Sequence, residues 1–206
     1  MSDERLTIEV FADVLCPFTH VGMRRLVRMR ESVPRDVVLW VRAWPLELVN
    51  GEPLDAGFVA DEVSELRAQV APDLFTGFDP ASFPSTSLPS LALTAAAYRR
   101  DQATGESVAL ALRDLVFEAG RDISDPAVLE EVAARFGIDA QPVDADTVTA
   151  DHDEGVARGV VGSPHFFTPE GSFFCPSLDV SRDDDGELHV RFDQHGFEQF
   201  ADACFG

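Results

Sequence analysis

The chain has 206 residues, 45% of them hydrophobic and 26% charged, a composition that describes a soluble globular protein long enough to enclose a sizeable core. Against 37 acidic residues stand 16 basic ones, every one an arginine, so the net charge of −21 disfavours binding to nucleic acid or anionic lipid by overall attraction. The opening Met1-Ser-Asp-Glu-Arg-Leu-Thr-Ile has neither a basic nor an apolar leader region, and no run approaches the roughly 18 apolar residues of a membrane span, which makes the cytoplasm the expected compartment.

Residues alternate from Leu6 to Phe11, with Leu6, Ile8 and Val10 on one face and Thr7, Glu9 and Phe11 on the other, and this predicts a strand that runs to Ala12. After Cys16-Pro17 the spacing becomes helical. Met23, Leu26, Val27 and Met29 turn inward, Arg24, Arg25 and Arg28 outward, and the helix closes before Pro34. The β-branched run over 37–42 predicts a buried strand, completing a unit of βαβ size. The middle of the chain then changes character. Helical spacing appears over 58–71, 88–102, 106–119, 126–136 and 146–158. Asp125-Pro126, with Glu130 and Glu131 a turn later, starts one of these helices and Gly137 stops it.

Strand patterns return over 165–168 and 172–175 around the turn Pro169-Glu-Gly171, and a second hairpin is predicted across Asp183-Asp-Asp-Gly186, between 178–182 and 187–192. A final amphipathic helix carries Phe197, Phe200 and Cys204. No internal repeat or low-complexity segment stands out. The expected class is therefore α/β: a discontinuous framework of residues 1–57 and 155–206 brackets an all-helical insertion, 58–154, and chemistry is expected where the two face each other.

Cys16, Cys175 and Cys204 are an odd number at wide spacings, which argues against a disulfide framework and gives no zinc-type pair. Cys16 stands between a strand and a helix whose first position is Pro17. A thiol there meets the positive end of the helix dipole and unpaired amides, which favour thiolate, whereas the bland alternative is a buried cysteine filling a gap. Thr19, one turn on, can donate to the sulfur, and His20 with Arg24 or Arg25 can add positive charge. Elsewhere, Gly162-Ser163-Pro164-His165-Phe166-Phe167 places a proline just before an apolar strand.

Three segments together resemble the thioredoxin-fold DsbA family, in its FrnE-like cytoplasmic branch, close to 2-hydroxychromene-2-carboxylate isomerases and kappa-class glutathione transferases. They are Phe11-Ala-Asp-Val-Leu-Cys-Pro-Phe-Thr-His20, Glu118-Ala-Gly-Arg-Asp-Ile-Ser-Asp-Pro126 and Gly159-Val-Val-Gly-Ser-Pro-His-Phe-Phe167, which occur in the family's order and span most of the chain. The resemblance implies a thioredoxin fold interrupted by a helical subdomain. It puts Cys16 in the nucleophile position and makes Pro164 the cis-proline that faces it, with the backbone of Ser163 turned toward the sulfur to orient a substrate. Pro17 and Phe18 adjoin the sulfur in that arrangement, and Trp44 is expected to help line the cleft.

The chain departs from the family pattern at one position. Cys16-Pro17-Phe18-Thr19 stands in place of Cys-x-x-Cys, so no resolving thiol is available within the motif. Three outcomes stay open: a monothiol whose mixed disulfide a small thiol resolves, resolution by Cys175, or activation of a small thiol for transfer or isomerisation. The implied activity is a thiol-disulfide oxidoreductase, with a small-thiol transferase or isomerase and a redox-inactive binding module as alternatives. No tightly bound cofactor is expected beyond a low-molecular-weight thiol as co-substrate. The expected partners are that thiol or a protein disulfide, and nothing in the sequence assigns an oligomeric state.

The remaining candidates read as structural. Asp151-His152-Asp153-Glu154 is a consecutive set on a helix that does not converge on one metal ion, and reads as a solvated face. Arg24, Arg25, Arg28 and Arg30 read as cations near a helix C-terminus paired with acids, the alternative being a hold on an anionic small-thiol carboxylate or on a partner's acidic patch. Asp183-Asp-Asp-Gly186 reads as a turn, Cys204 as core, and Trp40 as packing beside the site. There is no GxGxxG, P-loop or GxSxG motif.

Overall fold

A computed structural model describes residues 6–33, 37–139 and 145–205; the opening residues 1–5 and Pro34, read above from the sequence, lie outside them. Four strands form one mixed sheet in the order β2-β1-β3-β4: β1 (Leu6–Ala12), β2 (Val37–Ala43), β3 (His165–Thr168) and β4 (Gly171–Phe174). β1 runs parallel to β2, from Leu6↔Val37 to Ala12↔Ala43, and antiparallel to β3, where Phe11 faces His165. Helix α1 (Pro17–Arg30) makes the crossover from β1 to β2. A separate hairpin, β5 (Leu178–Arg182) and β6 (Leu188–Phe192), turns across the acidic loop, and α8 (Gln194–Phe205) closes the chain.

The alternation in β1 predicted one apolar face, yet Phe11 on the opposite face is fully buried. The reason is α7 (Ala145–Ala157). Its Gly155 lets the helix approach so closely that a Cβ there would lie 2.6 Å from the Trp44 ring and 3.1 Å from Phe11. On the other face Ile8, Val10, Met23, Leu26, Phe166, Phe200 and Cys204 form the core under α1 and α8, and the Phe166 and Phe200 rings sit 4.7 Å apart. Cys204 is thus a core residue.

Between β2 and β3 the chain is helical: α2 (Leu46–Asn50), α3 (Ala56–Gln69), α4 (Leu88–Arg100), α5 (Gln102–Phe117), α6 (Pro126–Phe136) and α7, with a 3₁₀ turn at Pro80–Ser82. Caps account for the bounds. The Asp125 carboxylate accepts the Ala127 amide at the start of α6, and Gly137 at φ 63° ends it in the left-handed region that glycine adopts without cost. α5 begins four residues earlier than the spacing predicted, because Asp101 caps it through Thr104. Gly105 disguises that first turn as a break; it is glycine because the Tyr98 ring of α4 lies 2.2 Å from where its Cβ would be.

Edge strand β2 is closed by side chains rather than by another strand. The Leu39 amide donates to Glu106 Oε2 of α5 (2.9 Å), the Val41 amide to Tyr98 Oη of α4 (3.0 Å), and the Ala43 amide to Asp151 Oδ2 of α7 (2.9 Å). Three helices of the insertion thereby each satisfy one outward-facing amide of the strand, groups that would otherwise need water or another chain.

Candidate active site

The turn between β1 and α1 is built around Asp13. Its carboxylate accepts the amides of Leu15 (2.8 Å) and Leu46 (2.6 Å) and the hydroxyl of Ser87 (3.2 Å), and its carbonyl accepts from the buried Arg113 guanidinium at 3.2 Å. This fixes Cys16 as the N-cap of α1, with Pro17 at the first helical position, where no amide is needed. The Ser163–Pro164 bond is cis, and it meets that cap. Ser163 Oγ accepts the Asp13 amide at 2.9 Å and lies 2.7 Å from Thr19 Oγ1, while the Ser163 carbonyl accepts from Cys16 Sγ at 3.3 Å. Cys16, Thr19, Ser163 and Pro164, from opposite ends of the sequence, therefore converge.

The sulfur is seated more deeply than the helix-terminus argument implied. Cys16 is 3% exposed, and burial pushes its thiol up from the ordinary range. The hydroxyl and amide of Thr19 act against burial, whereas the Glu62 carboxyl adds to it. The resting group is a thiol donating to a carbonyl. The expected depression of its pKa by helix amides is overturned by desolvation.

His20 does not face the sulfur. Its ring packs beside Phe75 and Phe117, with centroids 5.3 and 5.0 Å away, and its Nε2 lies 2.8 Å from Glu118 Oε1. Burial lowers its pKa despite Glu118, so the neutral ring donates to that carboxylate and brings no positive charge to Cys16. Trp44 does not line the cleft either: at 4% exposure it packs on Phe11 and Val160 and stacks on His152. Trp40 is on the edge strand under Arg42, beside a different cleft with Thr7 and Tyr98.

Asp153 and Glu154 are exposed, as a solvated face requires, but Asp151 is buried, and with Glu154 nearly one turn on it clamps Arg42 at 2.6 Å each. The helix α1 arginines are paired as well. Arg24 meets Asp114, Arg28 meets Asp73, Arg30 meets Glu106, and Arg25 donates to the carbonyls of Ser177 and Val70.

Access to the site runs through a cleft of about 730 Å³ walled by Phe18, Ser163, Phe174, Cys175 and, from the β5–β6 hairpin, residues including Val180 and Phe192. Cys175 follows β4. Its amide donates to the Pro164 carbonyl at 2.9 Å, and its φ of 44° is in the left-handed region. All three cysteines are unbridged.

A strand–Cys-Pro–helix unit opposed by a cis-proline strand is matched by the family model for the DSBA-like thioredoxin domain over residues 7–183. The chain belongs to that family. Solved structures similar to this DSBA-like domain include the cytosolic disulfide reductase DsbM from Pseudomonas aeruginosa, at 20% identity and TM-score 0.60 over 90% of this chain and 88% of that one. A probable DsbA oxidoreductase from Streptomyces coelicolor matches at 23% identity and TM-score 0.60, over 78% and 79% of the two chains. A 2-hydroxychromene-2-carboxylate isomerase matches at 13% identity and TM-score 0.57, over 82% and 88%. No curated protein matches significantly. These likenesses fix the thioredoxin-like DsbA fold with its helical insertion.

Two charged residues of this DSBA-like domain bear on the sulfur without having been singled out in the sequence. Arg113, fully buried, donates to the carbonyls of Ala109 and Asp13 and feels the charge of Cys16. Glu62 is largely buried and accepts from Arg182 at 3.2 Å; burial pushes its carboxyl up to about 7. The signal for both was an ionisable side chain on an apolar stripe. Arg113 follows Ala109 by four and precedes Val116 by three; Glu62 stands between Val59 and Leu66 in the same way.

Proposed function

We propose that this DSBA-like domain is a thiol-disulfide oxidoreductase in which Cys16 is the nucleophile and the Ser163–Pro164 segment orients the substrate. The observation that carries the reading is the 3.3 Å approach of Cys16 Sγ to the Ser163 carbonyl. In this reading a substrate entering past Phe18 takes over that carbonyl with a backbone N–H, which releases the thiol to ionise with help from Thr19. The thiolate attacks a disulfide R–S–S–R′ to give Cys16–S–S–R, and R′S⁻ takes up the proton Cys16 has shed. A low-molecular-weight thiol, acting as co-substrate, reduces the adduct. The framework 1–57 with 155–206 carries this chemistry, and the insertion 58–154 contributes Glu62 together with Ser87 and Arg113, which bind Asp13.

Among the described residues no helix is long and apolar enough to cross a membrane. The cytoplasm, where small thiols are abundant, suits a cycle that depends on one, and the partners are that thiol and a small or protein disulfide. The test is reduction of a small aromatic disulfide by the wild type and by Cys16→Ser. The reading requires a mixed disulfide on Cys16 and loss of arylthiol release in the variant. Undiminished release by Cys16→Ser sinks it, and thiol-dependent conjugation of a chloro-nitrobenzene without disulfide reduction would instead favour a transferase.

A further inference from the structure

We propose that Cys175 is the resolving thiol for Cys16, so that the second sulfur of a two-cysteine cycle comes from the end of β4 instead of from helix α1. The inference rests on the reading of Cys16 as nucleophile and adds a partner to it. The two cysteines flank one dipeptide: Cys16 Sγ lies 3.3 Å from the Ser163 carbonyl, and the Cys175 amide lies 2.9 Å from the Pro164 carbonyl. The β3–β4 register pairs His165 with Phe174, which brings Cys175 opposite Pro164. Cys175 and Ser163 wall the same cleft.

The backbone adds a second observation. At φ 44° Cys175 occupies a region that this chain otherwise gives to Phe75 and to glycines such as Gly137 and Gly159, and where a Cβ costs about 1 kcal/mol or more. The position thus keeps a thiol where glycine would be easier.

The second sulfur feels both its burial and the charges around it. Burial, and after it the charge of Cys16, push the Cys175 thiol up to about 12, while Arg25 pulls the other way. In a mixed disulfide Cys16 carries no charge, and what acts on Cys175 is burial opposed by the Arg25 attraction.

The step balances as follows. Cys16–S–S–R is attacked at the Cys16 sulfur by the Cys175 thiolate; the Cys16–Cys175 bond forms, the S–R bond to Cys16 breaks, and RS⁻ leaves and takes up the proton lost by Cys175. The two electrons of the new disulfide have gone to the substrate, giving RSH and R′SH. Two equivalents of a small thiol return the protein to its dithiol state.

The experiment adds a small aromatic disulfide to the fully reduced protein, counts arylthiol released, and maps linked peptides by mass spectrometry without reduction. The wild type should release two equivalents per chain and yield a Cys16–Cys175 peptide pair. Cys175→Ser should release one and retain the aryl adduct on Cys16, while Cys204→Ser should behave as the wild type. Cys175→Gly, which suits the backbone angle, should repeat the Cys175→Ser result and so separates lost chemistry from misfolding. A wild type that stops at one equivalent with a stable Cys16 adduct overturns the resolving role and leaves Cys16 as nucleophile. No adduct and no linked pair overturn both.

Discussion

The hydroxyls of Thr19 and Ser163 stand 2.7 Å apart, joining the first turn of α1 to the cis-proline segment 144 residues away in sequence. Thr19 occupies the place of the absent second cysteine and opposes the desolvation of Cys16. Thr19→Val, which keeps the shape and removes the hydroxyl, should raise the thiol's pKa and slow carbamidomethylation of Cys16 at pH 8 by roughly fivefold, the worth of one hydrogen bond of about 1 kcal/mol. Peptide-resolved labelling rates check this, and a rate equal to or above that of the wild type would show that the hydroxyl does not act on the sulfur.

Glu62 gives a pH dependence of definite sign. Burial raises its carboxyl from 4.5 to about 7 in the folded chain, so its contribution to stability is whole below pH 4.5 and is lost as the pH climbs through 7. Glu62→Gln keeps an acceptor for Arg182 without the charge. Its stability relative to the wild type should grow between pH 4.5 and 7 and level off above, by up to about 3 kcal/mol. Urea unfolding across that range measures it. Removing the negative charge should also lower the Cys16 pKa and quicken its labelling at pH 8.

Glu118 shows the opposite sign. Burial works to raise its carboxyl, but hydrogen bonds from His20, the amides of Thr76 and Phe75 and the Thr76 hydroxyl outweigh it and hold the group at about 2. Its contribution is present above the unfolded value of 4.5 and disappears as the pH falls toward 2. Because solvent reaches a fifth of the side chain, Glu118→Gln should cost about 2 kcal/mol at pH 7, less than the full shift implies, and the cost should shrink below pH 4. Thermal unfolding of both proteins at pH 7 and pH 3 distinguishes this from a cost that ignores pH.

Tyr98 holds edge strand β2 with one oxygen, donating to the Leu39 carbonyl at 2.9 Å and accepting the Val41 amide at 3.0 Å. Tyr98→Phe leaves both groups without that partner while keeping the ring against Gly105, and should cost about 2 kcal/mol. Hydrogen exchange at the Val41 amide should accelerate more than at Val10 in the sheet centre. Equal acceleration at both would assign the effect to global destabilisation.

The framework was legible because periodicity and turn chemistry are local. The alternation from Leu6 to Phe11, the stop at Gly137 and the hairpin across Asp183-Asp-Asp-Gly186 each state their structure within a few residues. Cys16 was found through its strand–helix junction, and Pro164, by itself only a strand-entry residue, through the family resemblance. His20 was misplaced because its distance from Cys16 along α1 does not say which way the ring turns; the pocket between Phe75, Phe117 and Glu118 decides that, and those residues are nearly a hundred positions apart from it at the far end. Trp44 was misplaced because the gap left by Gly155 of α7 draws it to the other face of the sheet. The deep seating of the sulfur had no local signal at all, since burial is a sum over the whole fold.

With Glu106, Tyr98 and Asp151 occupying the amides along β2, the sheet is sealed on one margin, while at the other β4 shows Gly171, Ser172 and Phe174 to solvent. The margin formed by β4 is the one that Cys175 follows. The helices that look like an appendage on the scaffold act as a stopper, giving an otherwise two-ended ribbon a direction.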